Sequence, residues 1–315
     1  MKKYILTLAL VGLSVFAAKA QQEGGTPTQT LISLDSKSPG TATAKNITLK
    51  VDGHVTPLLN LTQVPASGAQ VALLIDDGLR SSIGGDLHNI QSFITSLPAG
   101  TEVFVGFMQN GRVVSASENP NFTTDRAAVA QGVRLPMGLR GASASPYFCL
   151  SDFVKNWPAS AEGQTNSQPA HKARIVLMIT NGVDPYNGST SITNQDSPYV
   201  ATAVTDAQRA GVPVYSIYYN DAGFRGGRGS FSGQSYLLQV AQGTGGKAFY
   251  QGTGNPVSLA PFLKQFQDAI AESYVATFPV EGNKKMVSFK ASTDLPKTKV
   301  TAPDQIRPGT VVLSQ

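Results

Sequence analysis

The chain has 315 residues, of which 41% are hydrophobic and only 14% charged, and its 25 basic residues exceed its 20 acidic ones. This length suits one main domain with a smaller element, and the low charge is typical of an exported protein. Residues 1–20 hold three of the basic residues, and without them 22 basic residues stand against 20 acidic ones. This near balance of basic and acidic residues argues against nucleic acid or an anionic membrane as a partner.

The first twenty residues have the three parts of a secretory signal peptide. Lys2 and Lys3 precede an apolar run from Tyr4 to Phe16, and Ala18-Lys19-Ala20 has the small-x-small pattern of a cleavage site. The apolar run is short for a membrane span. We therefore predict that residues 1–20 are a signal peptide, that the protein is exported to the periplasm or the extracellular space, and that no transmembrane segment remains after cleavage.

Two flanking segments follow before the first long apolar run. Residues 21–45 are polar and carry few large apolar side chains, which predicts a flexible leader with one short strand near Leu31 to Leu34. The segment after it alternates around Asp52-Gly53, a strong turn signal. We predict that residues 46–67 form a β-hairpin flank.

Two apolar runs then end in polar residues. The run from Val71 to Ile75 ends in Asp76 and Asp77, and the run from Ile175 to Ile179 ends in Thr180-Asn181-Gly182. Such runs are typical of strands buried on both faces of a parallel sheet, where ligands bind at the carboxyl ends of the strands. The predicted fold class is therefore α/β, with a doubly wound, mostly parallel sheet and a small β-region made from the amino-terminal and carboxyl-terminal flanks.

Helical spacing and turn residues predict the remaining elements. Pro98 closes one predicted helix, Asn110-Gly111 joins two strands, and Ser145-Pro146 and Ser197-Pro198 each begin a helix. The glycine-rich residues 220–233 are predicted to be a flexible loop. In chain order, the predicted elements are a helix over 87–97, strands over 102–108 and 112–116, a strand over 212–219 and a helix over 259–274. Three short strands follow, over 275–280, 286–291 and 297–302. They belong to a predicted carboxyl-terminal β-extension over residues 278–315.

The motifs at the two strand ends resemble those of the von Willebrand factor type A (vWA) domain. In that family the first strand ends in Asp-x-Ser-x-Ser and the fourth in Thr-Asp-Gly, where this chain has Asp76-Asp77-Gly78-Leu79-Arg80 and Thr180-Asn181-Gly182. The segment from Leu237 to Tyr250 is similar to the helix, turn and strand near the end of bacterial vWA domains. The resemblance covers residues 68–277 and implies a Rossmann-like three-layer sandwich with a role in adhesion.

The family's metal-ion-dependent adhesion site is degenerate in this chain. Gly78 and Arg80 stand where the family has its two serines, and Asn181 stands where it has an aspartate. The family's threonine ligand corresponds best to Ser143. Since Mg²⁺ needs several fixed oxygens, we predict no tightly bound metal and no cofactor; the alternative is a Mg²⁺ ion held by Asp76, Ser143 and Asp184. Arg80 either occupies the place of the metal and pairs with Asp76 or points into solvent.

No catalytic pattern emerges from the sequence. It contains neither a G-x-S-x-G elbow nor a phosphate-binding G-x-x-x-x-G-K-[ST] loop, and its three histidines do not have zinc-ligand spacing. Asp76 and Asp77 are adjacent at a strand end, so their side chains point in opposite directions and do not form an acid-base pair. The single cysteine, Cys149, lies in an apolar helical pattern and is predicted to be buried and inert.

We therefore predict a non-enzymatic binding or adhesion module that recognises a protein, or alternatively a glycan, through loops at one edge of the sheet. Arg and aromatic side chains in the glycine-rich loop are of the types enriched at binding sites. The alternative is a structural cell-envelope scaffold that makes its contacts through the flanking β-region. The predicted ligand-binding rim consists of Asp76, Asp77, Arg80, Ser143, Asn181, Asp184, Phe224, Arg225 and Arg228.

Overall fold

The computed structural model describes residues 24–36, 42–137, 145–161, 171–184, 197–220, 226–250, 252 and 254–314, with the side chains of residues 80–82 and 226–231 left out. The described 3-10 helices are Ala44–Asn46, Ala66–Gly68 and the longer Asp77–Asp86. The α-helices are α1 (Leu87–Ser96), α2 (Arg126–Gly132), α3 (Pro146–Lys155), α4 (Pro198–Ala210), α5 (Gly226–Thr244) and α6 (Ala260–Ala271). The strands are β1 (Thr26–Ser36), β2 (Ile47–Val51), β3 (His54–Thr56), β4 (Asn60–Gln63), β5 (Ala69–Asp76), β6 (Glu102–Gln109), β7 (Arg112–Ser115), β8 (Ala173–Thr180), β9 (Val214–Tyr218), β10 (Ala248–Tyr250), β11 (Ser273–Val280), β12 (Val287–Thr293), β13 (Thr298–Thr301) and β14 (Gln305–Ile306).

The described strands form three sheets. A six-stranded sheet has the order β10-β9-β8-β5-β6-β7, in which only β7 runs antiparallel to its neighbour. The other two sheets have four strands each, in the orders β13-β1-β11-β4 and β14-β12-β2-β3, and all their pairs are antiparallel. The predicted fold class, a doubly wound and mostly parallel sandwich with a small β-region, is therefore wrong. The chain is mixed α/β, and eight of its fourteen described strands lie in antiparallel sheets.

The strand predicted near Leu31 to Leu34 is present and longer than expected. In the segment 21–45, for which the sequence indicated a flexible leader, β1 runs for eleven residues from Thr26 to Ser36. It pairs with β11, from Thr26 opposite Val280 to Ser33 opposite Ser273, and with β13 on its other side. Its hydrogen-bonding partners lie more than two hundred residues away in the sequence, so no local sequence pattern predicts them.

The six-stranded sheet is the layer that positions the rim. Every residue of β5 is buried, and its side chains alternate between two apolar clusters. Val71, Leu73 and Ile75 pack with residues of α1, α2 and α6. Ala72 and Leu74 pack with residues of α3, α4 and α5. Burial on both faces explains the unbroken apolar run in the sequence.

The flanks have a hydrophobic core of their own. Ile32 of β1, Phe278 of β11 and Phe289 of β12 are buried in a third cluster, and the two phenylalanine rings stack with their centroids 5.2 Å apart. The two antiparallel sheets thus pack against each other instead of forming a minor extension.

Two predicted turns are present with the expected geometry. Asp52 and Gly53 have φ angles of 48° and 85°, and Asn110 and Gly111 have 45° and 79°. Two successive positive φ angles match the turn that closes a two-residue hairpin, which Asp-Gly and Asn-Gly adopt readily. By contrast, the predicted flexible loop over residues 220–233 is wrong from Gly226 onward, where α5 begins, and residues 221–225 lie outside the described ones.

Candidate binding rim

The carboxylate of Asp76 joins the ends of two neighbouring strands. Its Oδ1 accepts a hydrogen bond from the Gly78 amide at 2.9 Å, and its Oδ2 accepts one from Thr180 Oγ1 at 2.6 Å. Thr180 Oγ1 in turn accepts the Gly182 amide at 3.1 Å. Both Asp76 and Thr180 are buried. Asp76 therefore fixes the loops that follow β5 and β8.

Asp77 has a different partner, as its adjacency to Asp76 predicted. Its Oδ1 accepts a hydrogen bond from the Met137 amide at 3.0 Å. This contact brings the segment after α2 to the sheet edge. Asp77 itself is buried, whereas the side chains of Leu135 and Met137 are 44% and 71% exposed. The acidic residue thus supports a loop that presents apolar side chains to solvent.

Asn181 and Asp184 organise the loop after β8. Asn181 Oδ1 accepts the Val183 amide at 2.9 Å, which closes a local turn. Asp184 is fully buried and accepts a hydrogen bond from Ser197 Oγ at 2.8 Å. Ser197 is also the N-cap of α4, where its Oγ accepts the Tyr199 amide at 3.3 Å. Asp184 therefore holds the start of α4 against the edge of the sheet.

Tyr147 connects α3 to this loop, and the sequence reading missed it. Ser145 caps the helix by accepting the Tyr147 amide at 3.3 Å, and Tyr147 Oη donates to the Gly182 carbonyl at 2.7 Å. Burial raises the pKa of Tyr147 well above its usual value, and the charges of Asp184 and Asp76 raise it further. The hydroxyl is therefore a permanent donor. The Ser-Pro signal for the helix start places Tyr147 in the first turn, but the sequence does not indicate that its hydroxyl bonds to Gly182.

A close approach between two glycines packs α5 against the same turn. Gly182 has a φ of 68°, and a Cβ built on it would lie 2.4 Å from the Gly233 carbonyl oxygen. A Cβ on Gly233 would lie 2.1 Å from the Asn181 carbonyl oxygen. Only glycine fits at either position, so α5 and the turn after β8 form one rigid unit.

Asp86, at the end of the long 3-10 helix, is a second organising carboxylate that sequence reasoning did not identify. Its Oδ1 accepts the Leu259 amide and Asn89 Nδ2, both at 2.8 Å, and its Oδ2 accepts Tyr219 Oη at 3.3 Å. Burial, followed by the Asp86 charge, raises the pKa of Tyr219 to about 12. Val257, two residues before Leu259, has a fully exposed side chain.

The predicted rim residues thus fall into two groups. Asp76, Asp77, Asn181 and Asp184 follow β5 and β8 at the same sheet edge, with the three carboxylates turned inward onto donors of the chain. Ser143, Phe224 and Arg225 lie outside the described residues, and Arg80 and Arg228 lie in the 3-10 helix and in α5 with undescribed side chains. The pairing of Arg80 with Asp76 stays a prediction.

The oxygens proposed as alternative metal ligands already have partners. Asp76 and Asp184 accept hydrogen bonds from Gly78, Thr180 and Ser197. Within the described ranges, no three His, Cys, Asp or Glu side chains are grouped so that they could hold a metal ion. Since Mg²⁺ requires a nearly complete shell of oxygens, these two carboxylates fit such an ion poorly.

Cys149 lies behind the rim, in the second apolar cluster. Burial raises the pKa of its thiol to about 12, with a further contribution from the Asp76 charge. The thiol is therefore protonated at neutral pH and does not act as a nucleophile. In the part of the chain that the structure covers, no helix has the length and apolar character needed to cross a membrane.

Comparison with known proteins finds similarity only among solved structures: no family model and no curated protein matches the chain. Proximal thread matrix protein 1 from the mussel byssus is 15% identical with a TM-score of 0.41, and the alignment covers 67% of this chain and 48% of that one. The open conformation of the pilus adhesin SpaC from Lactobacillus rhamnosus GG is 8% identical with a TM-score of 0.42, covering 86% and 47% of the two chains. Human COPII-coat protein Sec24c is 8% identical with a TM-score of 0.38, covering 78% and 44%. The chain spans about half the length of these proteins, and likenesses this weak carry no argument about function. The vWA assignment stays a prediction.

Proposed function

We propose that this protein is an exported, non-enzymatic binding module that recognises a protein partner through the loops at the carboxyl ends of β5 and β8 and the segment after α2 that Asp77 holds beside them. The observation that carries the proposal is the inward orientation of Asp76, Asp77 and Asp184. All three are buried and accept hydrogen bonds from the chain itself. They stabilise the loops, which leaves the outer surface of the rim to make contacts.

That outer surface offers apolar side chains on a rigid support. Leu135 and Met137 are exposed beside the Asp77 hydrogen bond, and Val257 is exposed beside the Asp86 hydrogen bonds. Exposed apolar groups held in place by a rigid scaffold are a feature of protein-binding surfaces, where methionine is enriched.

The export part of the proposal rests on the order of charge, apolar run and Ala18-Lys19-Ala20. Residues 1–20 precede every described element, so their removal leaves the described fold complete. Amino-terminal sequencing of the protein from a periplasmic or culture fraction tests it. We expect Gln21 as the first residue; recovery of Met1 or Lys2 on the exported protein would contradict export by cleavage.

A second function, a scaffold that makes contacts through the antiparallel sheets, is favoured by one observation. Val55 in the edge strand β3 and Leu59 just before the edge strand β4 are 71% and 62% exposed. Edge strands with apolar side chains are common sites of contact with another chain.

Affinity capture from an envelope extract tests the proposed function, with the purified protein as bait and with EDTA present or absent. We expect a protein to be retained in both conditions by the unchanged protein and lost from a bait carrying Leu135→Ser and Met137→Ser. The matched control carries Val55→Ser and Leu59→Ser, which removes apolar groups that are at least as exposed from the flanking sheets. Loss of capture only in this control would favour the scaffold, and loss in EDTA would show that a cation takes part.

A further inference from the structure

A cleft of about 350 Å³ lies at the edge of the six-stranded sheet opposite to the rim. His171, Lys172 and Arg174 line it at the start of β8, Arg209 and Gly211 line it at the end of α4, and the segment 307–312 forms its remaining wall. The volume suits a small ligand or one group of a larger molecule.

The charge of this cleft is strongly one-sided. Its described lining residues include Lys172, Arg174, Arg209 and Arg307, and none of them is Asp or Glu. Lys172 is neutralised, because its Nζ lies 2.6 Å from Glu102 Oε1, and Arg209 lies 3.5 Å from Asp206 Oδ1. Arg174 and Arg307 form no ion pair with any described residue. Neither guanidinium group is therefore compensated by a carboxylate of the described residues.

The first of these groups is held in place by packing. Arg174 is half-buried, and its guanidinium carbon lies 5.2 Å from the centre of the Trp157 ring. Trp157 is fixed in turn, since its Nε1 donates to Gln70 Oε1 at 2.8 Å. Burial lowers the pKa of Arg174, and an anion beside the guanidinium would offset the cost of that burial.

Hydrogen bonds also fix the wall that carries Arg307. The His171 amide donates to Ser314 Oγ at 2.7 Å, and the Ser314 amide donates to the His171 carbonyl at 3.0 Å. Gln29 of β1 holds the same segment. Its backbone N–H donates to the Thr310 carbonyl, and its side-chain Oε1 accepts the Val312 backbone N–H, both at 2.8 Å. The cleft is thus a built part of the fold.

We propose that this cleft binds a tetrahedral oxyanion, phosphate or sulfate, with Arg174 and Arg307 as its charge partners. Guanidinium groups present a planar fork of donors that matches such anions in both charge and geometry. The proposed site lies at the other edge of the sheet from the rim and does not depend on partner binding there. The anion could be a free ion or an ester group on a polymer, and both share this chemistry.

Isothermal titration of the purified protein with inorganic phosphate and with sulfate, at ionic strength held constant with NaCl, tests the proposal. We expect saturable binding that Arg307→Gln and Arg174→Gln each weaken by about tenfold, the effect of losing one charge-assisted hydrogen-bonding group. Arg112→Gln removes an exposed arginine from β7, far along the sheet, and should leave binding unchanged. A melting curve checks that each variant is folded, and Arg307 is exposed, so its variant should fold even where Arg174→Gln does not.

Heparin and polyphosphate distinguish a free anion from an ester group on a polymer. Competition of either polymer with the inorganic ion, lost in Arg307→Gln, would support an ester group on a polymer, whereas binding of the inorganic ion alone would support a free ion. Two results would overturn the proposal: no heat beyond that of the NaCl control, or equal affinities of the unchanged protein and Arg307→Gln.

Discussion

Thr180 Oγ1 donates a 2.6 Å hydrogen bond to Asp76 Oδ2 and so ties the last residue of β8 to the last residue of β5. The same hydroxyl accepts the Gly182 amide at 3.1 Å. One buried side chain therefore serves as donor to a carboxylate and as acceptor for the turn that follows. This arrangement turns a potential ligand group into a structural one.

Replacing Thr180 by Val should destabilise the protein by about 2–3 kcal/mol, because a buried carboxylate loses a hydrogen bond while the side-chain shape is kept. Thr180→Ser is the matched control: it keeps the hydroxyl and loses one methyl group, at a cost of about 1 kcal/mol. Urea denaturation measures both free energies of unfolding. Equal losses in the two variants would mean that the hydrogen bond contributes nothing.

Gly233→Ala should destabilise the protein by about 1–3 kcal/mol, because its Cβ would collide with the backbone after β8 and push α5 outward. The control is Gly85→Ala, since a Cβ at Gly85 meets no atom within 4 Å. We expect that variant to stay within about 0.5 kcal/mol of the unchanged protein. Thermal melting compares them, and a Gly233→Ala protein as stable as the Gly85→Ala protein would refute the close packing of α5 on the turn.

Glu102 should make stability fall in acid. Burial acts to raise the pKa of this carboxyl, but hydrogen bonds from Lys172, Ser160 and Gln70 outweigh burial, and the pKa is lowered from 4.5. A carboxyl whose pKa is lower in the folded state stabilises the protein above its unfolded pKa. This contribution is lost as the pH falls below 4.5 and through the folded pKa.

The measurement is the free energy of unfolding between about pH 7 and about pH 3. Glu102→Gln should lower stability at neutral pH and flatten the acid limb of the curve, because the titrating group is gone. Glu118→Gln, at an exposed glutamate, should leave the curve unchanged. An acid limb that is equally steep in Glu102→Gln would assign the pH dependence to other groups.

The sequence predicted those parts of the fold that depend on neighbouring residues. The buried run of β5, the Asp52-Gly53 turn and the start of α4 at Ser197 are present, because burial pattern, turn geometry and capping act within a few residues. The pairing of Thr26 with Val280 is different. It depends on contacts across nearly the whole chain, and this is why the antiparallel sheets were underestimated.

The same distinction applies to the candidate site. The sequence placed Asp76 and Asp184 at one edge of the sheet, which follows from parallel strands sharing their carboxyl ends. It could not indicate where the carboxylates point, because Thr180, which donates to Asp76 Oδ2, is 104 residues away in the sequence. The roles of Tyr147 and Asp86 could not be predicted for the same reason, because both form hydrogen bonds to loops that are distant in the sequence.

Adding millimolar Mg²⁺ should leave the melting temperature unchanged, because the Asp76 and Asp184 oxygens already accept hydrogen bonds within the chain. A ligand that binds only the folded state stabilises it in proportion to RT ln(1 + [L]/Kd). Differential scanning fluorimetry with Mg²⁺ and Mn²⁺, each against EDTA, measures the shift. A clear rise that Asp76→Ala abolishes would establish a rebuilt metal site.

The central claim is that the loops after β5 and β8, together with the segment after α2 that Asp77 holds beside them, make the contact with the partner. The most direct test is the dissociation constant of the captured partner, measured by surface plasmon resonance against the unchanged protein and two folded variants. We predict that Leu135→Ser with Met137→Ser weakens binding by about tenfold or more, while Val55→Ser with Leu59→Ser leaves the affinity unchanged. Unchanged affinity in the variant with Leu135 and Met137 replaced, together with a loss in the variant with Val55 and Leu59 replaced, would contradict the account.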